Sequence, residues 1–222
     1  MTETEIRLAC LDMAGTTVAD DGLVLAAFSA ALDVLHVEAE AERERMTRYV
    51  VDTMGESKIT VFRALFPGDE TAAQEGNAAF ESAYSTRISL TRALPGAVET
   101  FQRLRAAGVK VALTTGFARP TQDAIIAALG WQDLADIALT PADAGRGRPY
   151  PDMVLTAVLR LGIDDVREVA VVGDTPSDVV SGLRAGASVA AGVLTGASAA
   201  ADFEAVGATH VLESVRDLPA LL

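Results

Sequence analysis

The hydrophobic positions follow three successive patterns along the chain. A short apolar run, IRLACL, ends at Asp12 and is followed by a Gly/Thr turn, which is typical of a buried β-strand. From about residue 22 to residue 92, apolar residues recur at helical spacing with few strand candidates between them. After residue 93, short apolar runs alternate with helical patterns as far as the run THVLES.

This order predicts a parallel sheet that is interrupted once. Alternating strands and helices require right-handed crossovers, which place helices on both faces of a parallel sheet. The predicted fold class is α/β, a three-layer α/β/α Rossmann-like parallel sheet core with an inserted all-helical cap domain. Residues 1–17 and 94–222 form the predicted core, residues 18–93 form a cap of about four helices, and THVLES is the predicted edge strand.

Composition limits the partners. The 222 residues carry a formal net charge of −13 without a basic stripe, which argues against nucleic acid or an anionic membrane as a partner. The single Cys10 suits a reducing compartment, and the segment MTETE lacks a secretory pattern. No apolar run is long enough to span a bilayer. We therefore expect a cytoplasmic protein with a small-molecule substrate, and a homodimer is left open.

Polar residues stand where several predicted strands end. Asp12, Thr115 with Gly116, and Asp174 with Asp178 follow three apolar runs. Ligands bind at the carboxyl ends of strands in open parallel sheets. Each residue alone is equally typical of a helix cap, because Thr and Asp are common N-caps. Several such residues at one edge of one sheet favour a binding site.

The residue types at this edge suit phosphoryl chemistry. Asp12 and Asp174 are hard oxygen ligands that could hold Mg²⁺. Thr115 and the Gly116 amide can donate to phosphoryl oxygens, and Arg148, in a separate loop, offers a fixed positive charge. A carboxylate beside a metal and a phosphoryl group is a plausible nucleophile, giving an aspartyl-phosphate intermediate.

Four segments, DMAGTT, LTTG, GRPYP and VVGDTPSD, resemble the ordered motifs of the haloacid dehalogenase superfamily. The resemblance covers the whole predicted core. It implies a hydrolase with Asp12 as nucleophile, Thr115 as phosphate anchor and Arg148 as the cation of the third motif. It also implies Asp174 as a metal ligand, with Asp178 behind it or bound through water. Thr16 and Gly116 are predicted to bind the phosphoryl group.

Ala14 departs from most phosphatases of this superfamily. They carry a second aspartate two residues after the nucleophile, which protonates the leaving alkoxide and later activates water. Ala14 can offer only its backbone carbonyl, to the metal. Ordinary ester hydrolysis would therefore lose its general acid, a loss on the order of 10²–10⁴-fold.

The phosphonoacetaldehyde hydrolases, or phosphonatases, stabilise the leaving group in another way. Their first motif also reads Asp-x-Ala-Gly-Thr-Thr, and their cap pattern Met-Gly-x-x-Lys is similar to MGESK here. The resemblance implies that Lys58 forms an imine with the substrate aldehyde, beside Met54 and Gly55 as substrate-binding residues. Alone, Lys58 would be read as a solvated cation at a helix start. Ala14 and the Met54–Gly55 pair favour the catalytic interpretation.

Two positions depart from the phosphonatase pattern. Val61 stands where phosphonatases have histidine, and Phe117 stands where they commonly have tyrosine. His36, on an apolar cap helix, and His210, at the start of a late strand, are predicted to be structural. The same packing role is predicted for two other residues, Cys10 and Trp131.

Three functions therefore remain open at this point. The favoured one is Mg²⁺-dependent hydrolysis of the P–C bond of phosphonoacetaldehyde or a related carbonyl phosphonate. The second is a phosphomonoesterase acting on a small phosphorylated metabolite, and the third is a non-catalytic phosphate-binding relative. Ala14 argues against the second, and the joint retention of the site residues argues against the third.

Overall fold

A computed structural model describes residues 5–222, so the first four residues of the predicted core and of MTETE lie outside the described residues. Six parallel strands form one sheet in the order β3-β2-β1-β4-β5-β6. The strands are β1 Leu8–Asp12, β2 Lys110–Thr114, β3 Ile137–Leu139, β4 Val169–Gly173, β5 Val189–Val193 and β6 His210–Leu212. This arrangement confirms the predicted fold class, and β6 is an edge strand as predicted.

Helices connect these strands. Four of them lie between β1 and β2: α1 Leu23–Val34, α2 Glu40–Asp52, α3 Lys58–Leu65 and α4 Glu70–Ser85. The others are α5 Ala97–Ala106, α6 Arg119–Leu129, α7 Pro141–Ala144, α8 Asp152–Leu161, α9 Pro176–Ala185 and α10 Ala200–Ala205. Short 3₁₀ turns span Ile88–Leu90, Val166–Glu168 and Val215–Ala220. No described helix is both long and apolar enough to cross a bilayer.

The sheet is covered on both faces. Along β1, Ala9 and Leu11 belong to one buried apolar cluster, whereas Leu8 and Cys10 belong to another. Successive side chains of a strand point to opposite faces, so the two clusters lie on opposite sides of the sheet. Cys10 is fully buried, in agreement with its predicted packing role.

The helical segment (residues 18–93) packs around aromatic rings. Phe28 of α1 lies 5.0 Å from Phe62 of α3 and 4.7 Å from Phe80 of α4, measured between ring centroids. Burying a side chain of this size contributes about 1.5–3 kcal/mol. These contacts join α1, α3 and α4 within the same apolar cluster that covers one face of the sheet.

Two backbone contacts close the helical segment at its base. Val18 forms an antiparallel bridge with Ala93, and the amide of Leu94 donates to the carbonyl of Thr17 at 2.9 Å. The chain therefore leaves and re-enters the sheet region at neighbouring points. The division into a core of residues 1–17 and 94–222 and a cap of residues 18–93 stays a prediction.

The position of His36 was predicted wrongly. Helix α1 ends at Val34, and His36 lies in the turn that follows, with φ of 53°. The amide of Val37 donates back to the carbonyl of Leu32 at 3.0 Å, which closes the helix end and turns the chain. The hydrophobic pattern continues past this turn and so concealed it.

Candidate active site

The sheet order places three predicted residues at one edge. Strand β1 lies between β2 and β4, with Asp12 in register with Thr114 and Leu11 in register with Val172. The residues that follow these strands therefore converge at their carboxyl ends. A cavity of about 280 Å³ opens there, and nine predicted site residues line it: Asp12, Ala14, Met54, Gly55, Lys58, Thr115, Gly116, Arg148 and Asp174. The other two predicted residues, Thr16 and Asp178, do not line it.

Arg148 is buried between two carboxylates. Its Nη1 lies 2.7 Å from Oδ1 of Asp12 and also pairs with Asp178. Burial alone would lower the pKa of Arg148, but the charges of Asp178 and Asp12 outweigh it and raise that pKa. The guanidinium is therefore a permanent positive charge. Its Nε has no hydrogen-bond partner among the described residues, which leaves one buried donor for a ligand.

Asp12 occupies an unfavourable position for a charge. Burial raises its pKa to about 6, Arg148 opposes this shift, and the negative charge of Asp178 adds to it. A buried carboxylate with a raised pKa and a fixed charge partner in a cavity is typical of a functional group.

Asp178 does not line the cavity but contacts residues that do, Arg148 and Thr175. Its carboxylate accepts hydrogen bonds from the Thr175 amide at 3.2 Å and the Thr175 hydroxyl at 2.5 Å, and the first of these is part of the capping box of α9. The same carboxylate pairs with Arg148. Asp178 therefore orients Arg148 and caps the first turn of α9, and its role as a metal ligand stays a prediction.

Asp174 is held by a close-packed loop that the sequence did not reveal. Its carboxylate accepts hydrogen bonds from the Thr16 hydroxyl at 3.4 Å and the Ala197 amide at 3.3 Å. A Cβ at Gly15 or Gly196 would overlap this carboxylate. Thr16 thus contacts Asp174 and not the cavity, and its predicted contact with a phosphoryl group stays a prediction.

The carboxylates suit a magnesium ion. Burial raises the pKa of Asp174 well above its ordinary value, and the nearby charge of Asp12 adds to the shift. A cation between the two would offset this repulsion. No group of three or more His, Cys, Asp or Glu residues in the described chain could hold a metal. Mg²⁺ is commonly held by one or two carboxylates together with water and substrate oxygens, so Asp12, Asp174 and the Ala14 backbone fit its needs.

Thr115 and Gly116 follow β2 directly and line the cavity. The Thr115 hydroxyl accepts from the Phe117 amide at 3.2 Å, which leaves its own proton free to donate. The carbonyl of Gly116 accepts from the Lys58 amide at 3.2 Å, and a Cβ at Gly116 would overlap the carbonyl oxygen of Glu56. Glycine is therefore required here by the close approach of the helical segment, a reason that the sequence did not show.

Lys58 is not a solvated cation, since only 6% of it is exposed. It is the first residue of α3, and its Nζ lies 5.6 Å from the ring centroid of Phe117, 5.9 Å from Phe28 and 6.0 Å from Phe80. Burial lowers the pKa of Lys58 to about 8, and the charge of Arg148 adds to this shift. With this pKa, roughly a tenth of the amine is neutral and nucleophilic at pH 7.

The two departures from the phosphonatase pattern are both buried. Val61 lies in the apolar cluster behind Lys58, and the ring of Phe117 packs 4.6 Å from that of Tyr84. Neither His36 nor His210 lines the cavity. Trp131 packs edge-on against Phe101 at 5.1 Å, as its predicted structural role requires.

Two acidic residues near Lys58 were missed. Asp20 lines the cavity and was concealed because an aspartate before a helix is an ordinary cap. Glu81 of α4 accepts hydrogen bonds from the Ala118 amide at 3.0 Å and from the Thr121 hydroxyl, which joins α4 to the start of α6. Its position between two elements distant in sequence gave no local signal.

Comparison with known proteins identifies the family of this chain. A family model described as haloacid dehalogenase-like hydrolase matches residues 6–186. A phosphonoacetaldehyde hydrolase of Bacteroides fragilis is 32% identical over 157 residues, and the match covers 60% of this chain and 59% of that protein. One of Parabacteroides distasonis is 28% identical over 190 residues, covering 72% of this chain and 71% of the relative. The chain thus spans about three fifths to seven tenths of the length of these relatives.

Solved structures share the fold. A hydrolase from Pseudomonas syringae superposes with a TM-score of 0.84 at 25% identity, covering 96% of both chains. A phosphonoacetaldehyde hydrolase-like protein from Oleispira antarctica superposes with a TM-score of 0.82 at 23% identity, covering 99% of this chain and 91% of that one. The second likeness bears on the fold alone.

Proposed function

The chain belongs to the haloacid dehalogenase-like hydrolases, and from this premise we propose that it cleaves the P–C bond of phosphonoacetaldehyde or a related carbonyl phosphonate, with Mg²⁺, through an imine on Lys58. The observation that carries the proposal is the buried amine of Lys58 in the cavity that Asp12 lines. Ala14 leaves no second carboxylate in the first motif. Relatives named phosphonoacetaldehyde hydrolase support the substrate class.

The phosphonate end of the substrate would lie against the strand ends. Arg148, with its free Nε, and the Thr115 hydroxyl would donate to phosphoryl oxygens. Asp12, Asp174 and the Ala14 carbonyl would hold Mg²⁺, which when bound neutralises negative charge on the phosphoryl oxygens. Asp12 would then attack phosphorus and form the aspartyl phosphate, which water would hydrolyse to release phosphate and restore the carboxylate.

The carbonyl end would react with Lys58. The neutral amine adds to the carbonyl carbon, and the adduct takes up one proton and loses water to give a protonated imine. When Asp12 takes the phosphoryl group, the electron pair of the P–C bond moves toward the iminium nitrogen and forms an enamine. Protonation of the enamine carbon and addition of water release acetaldehyde. No alkoxide leaves in this sequence, so a general acid at position 14 is not needed.

Substrate comparison tests the proposal. Phosphonoacetaldehyde should yield acetaldehyde and phosphate in equal amounts, as measured by a coupled alcohol dehydrogenase assay and a phosphate assay. A simple alkyl phosphate of similar size should react on the order of 10²–10⁴-fold more slowly, because its alkoxide leaves without a general acid. Faster hydrolysis of the ester, without acetaldehyde release from the phosphonate, would instead favour the phosphomonoesterase.

Metal removal should abolish turnover. Without a cation, Asp12 and Asp174 repel each other and the phosphonate, and burial makes this repulsion costly. Dialysis against a chelator should reduce phosphate release to background, and Mg²⁺ should restore it. Full turnover in the chelated enzyme would show that Asp12 and Asp174 do not act as metal ligands.

The imine step should depend on pH through Lys58. Its pKa is lowered to about 8, so the amine is mostly protonated below that pH and mostly neutral above it. The rate of imine formation should therefore rise up to about tenfold per pH unit below pH 8 and level off above it. Single-turnover trapping with borohydride measures this rate. A rate that keeps rising to pH 10 would indicate an unperturbed lysine.

The composition supports the remaining predictions. A charge of −13 favours a small-molecule substrate over nucleic acid or an anionic membrane as partner. We propose a cytoplasmic location on the same grounds together with the lone Cys10. A homodimer stays a prediction.

A further inference from the structure

We infer that Asp20 is the proton-transfer residue for imine formation at Lys58. The inference rests on the proposed function, because it concerns a step in which Lys58 bonds to a carbonyl carbon. It assigns a chemical role to a residue whose carboxylate also accepts from the Val24 amide in the first turn of α1. It also gives the Lys58 amine a partner for proton exchange in a cavity that no histidine lines.

Elimination within the cavity leads to Asp20. The titratable residues that line it are Asp12, Asp20, Asp21, Lys58, Arg148 and Asp174. Asp12, Arg148 and Asp174 are assigned to the phosphoryl group and the metal. Asp21 is exposed, and its carboxylate pairs with Nη2 of Arg92 at 2.9 Å. Asp20 is the remaining acid available to exchange protons with Lys58.

Three nearby groups outside the cavity lining are poorer candidates. Both oxygens of Glu81 are engaged, by the Ala118 amide and the Thr121 hydroxyl. Glu56 contributes its backbone carbonyl to Lys58 Nζ at 3.4 Å, but it does not line the cavity. Burial raises the pKa of the Tyr84 phenol, which therefore keeps its proton.

The backbone holds the Asp20 carboxylate in place. Its Oδ1 accepts from the Val24 amide at 3.1 Å and its Oδ2 from the Gly22 amide at 3.2 Å. Each carboxylate oxygen has a second lone pair that can take part in proton exchange. Burial raises the pKa of Asp20, whereas the two amides and the charge of Lys58 lower it. The raised pKa of the acid and the lowered pKa of the amine bring the two groups closer in proton affinity.

The proton balance closes with these two groups and one proton from solvent. The neutral amine of Lys58 forms the C–N bond as the carbonyl π pair moves to oxygen. The Asp20 carboxylate takes one proton from the nitrogen and passes it to that oxygen, which gives a hydroxyl. Asp20 then relays one proton from solvent to this hydroxyl, which leaves as water while the nitrogen lone pair forms the C=N bond. The products are an iminium ion, a water molecule and the original carboxylate.

Acetaldehyde with borohydride isolates this step, because it requires no phosphoryl transfer. Imine formation followed by reduction places an ethyl group on Lys58, which peptide mass spectrometry quantifies against time. The only other lysine, the exposed Lys110, reports background alkylation in the same sample. Asp20→Asn should slow ethylation of Lys58 on the order of 10²-fold or more and leave that of Lys110 unchanged.

Asp33→Asn, at an exposed carboxylate that pairs with Arg43 and does not line the cavity, is the matched control and should ethylate Lys58 at the wild-type rate. Asparagine can still accept a capping hydrogen bond at position 20, and thermal unfolding checks that the variant folds. Asp20→Glu supplies a second carboxylate and should recover part of the rate, which a purely structural role would not predict. If Asp20→Asn is folded and ethylates Lys58 as fast as wild type, Asp20 is not the proton-transfer residue. If wild type itself shows no ethylation of Lys58 above that of Lys110, the imine and the proposed function fail together.

Discussion

Replacing Lys58 with arginine is expected to reduce acetaldehyde release from phosphonoacetaldehyde on the order of 10³-fold or more. Arginine keeps the positive charge and a comparable length, but a guanidinium does not form an imine. The electron pair of the P–C bond then has no acceptor, so the bond cannot break at a useful rate. Steady-state assays of acetaldehyde and phosphate measure the loss.

Lys110→Arg is the matched control for this variant. Lys110 is exposed on β2 and donates from Nζ to the carbonyl of Leu161, away from the cavity. The same substitution there should leave turnover within about twofold of wild type, as expected of a surface change. A Lys58→Arg enzyme that still released acetaldehyde at a near-normal rate would rule out the imine mechanism.

Replacing Asp12 with asparagine is expected to remove phosphate release from every substrate, by on the order of 10⁶-fold, as for the loss of other enzymatic nucleophiles. An amide can neither attack phosphorus effectively nor balance the cations of the site. The fold should persist, because Arg148 keeps its ion pair with Asp178 and the substitution removes a buried charge whose pKa is raised. Phosphate assays and thermal unfolding measure the two effects separately.

Imine trapping should also distinguish the effect of Asp12→Asn from that of Lys58→Arg. Asp12→Asn should still form the borohydride-reducible adduct with acetaldehyde, because that step uses Lys58 and not the nucleophile. Asp33→Asn, at an exposed carboxylate that pairs with Arg43, serves as the control for an aspartate-to-asparagine change. An Asp12→Asn enzyme with near-normal phosphate release would exclude Asp12 as the nucleophile.

Much of the fold could be predicted because its signals are local. Strand β1 is a continuous apolar run that ends at a polar residue. In the four helices that follow it, apolar residues recur at helical spacing. The end of α1 before His36 could not be predicted, since hydrophobic residues continue on both sides of the turn. A local backbone hydrogen bond from the Val37 amide to the Leu32 carbonyl, not a change in composition, closes that helix.

The candidate site was predictable where a motif sits at the end of a strand. Asp12, Thr115 and Asp174 line the cavity because parallel strands bring their carboxyl ends together. The pairing of Arg148 with Asp178 and the contact of Gly116 with Glu56 join residues far apart in sequence, so no local pattern reports them. The aromatic rings around Lys58 could not be predicted either, because Phe28, Phe80 and Phe117 are far apart in sequence and each alone is an ordinary core residue.

Ala14 and Lys58 bear on the same step, the stabilisation of the leaving group. In the proposed mechanism, an alanine in the first motif would weaken ester hydrolysis, and a buried lysine with a lowered pKa would supply an alternative way to stabilise the leaving group. This pairing sets the proposed chemistry apart from that of a phosphatase built on the same fold.

The most direct measurement is borohydride trapping during turnover of phosphonoacetaldehyde with Mg²⁺, followed by peptide mass spectrometry. The two lysines of the chain make the result unambiguous, because Lys110 reports non-specific reduction in the same digest. We expect loss of activity in proportion to a stable reduced adduct on the peptide that contains Lys58. Continued release of acetaldehyde with Lys58 unmodified and no loss of activity would contradict the proposed mechanism.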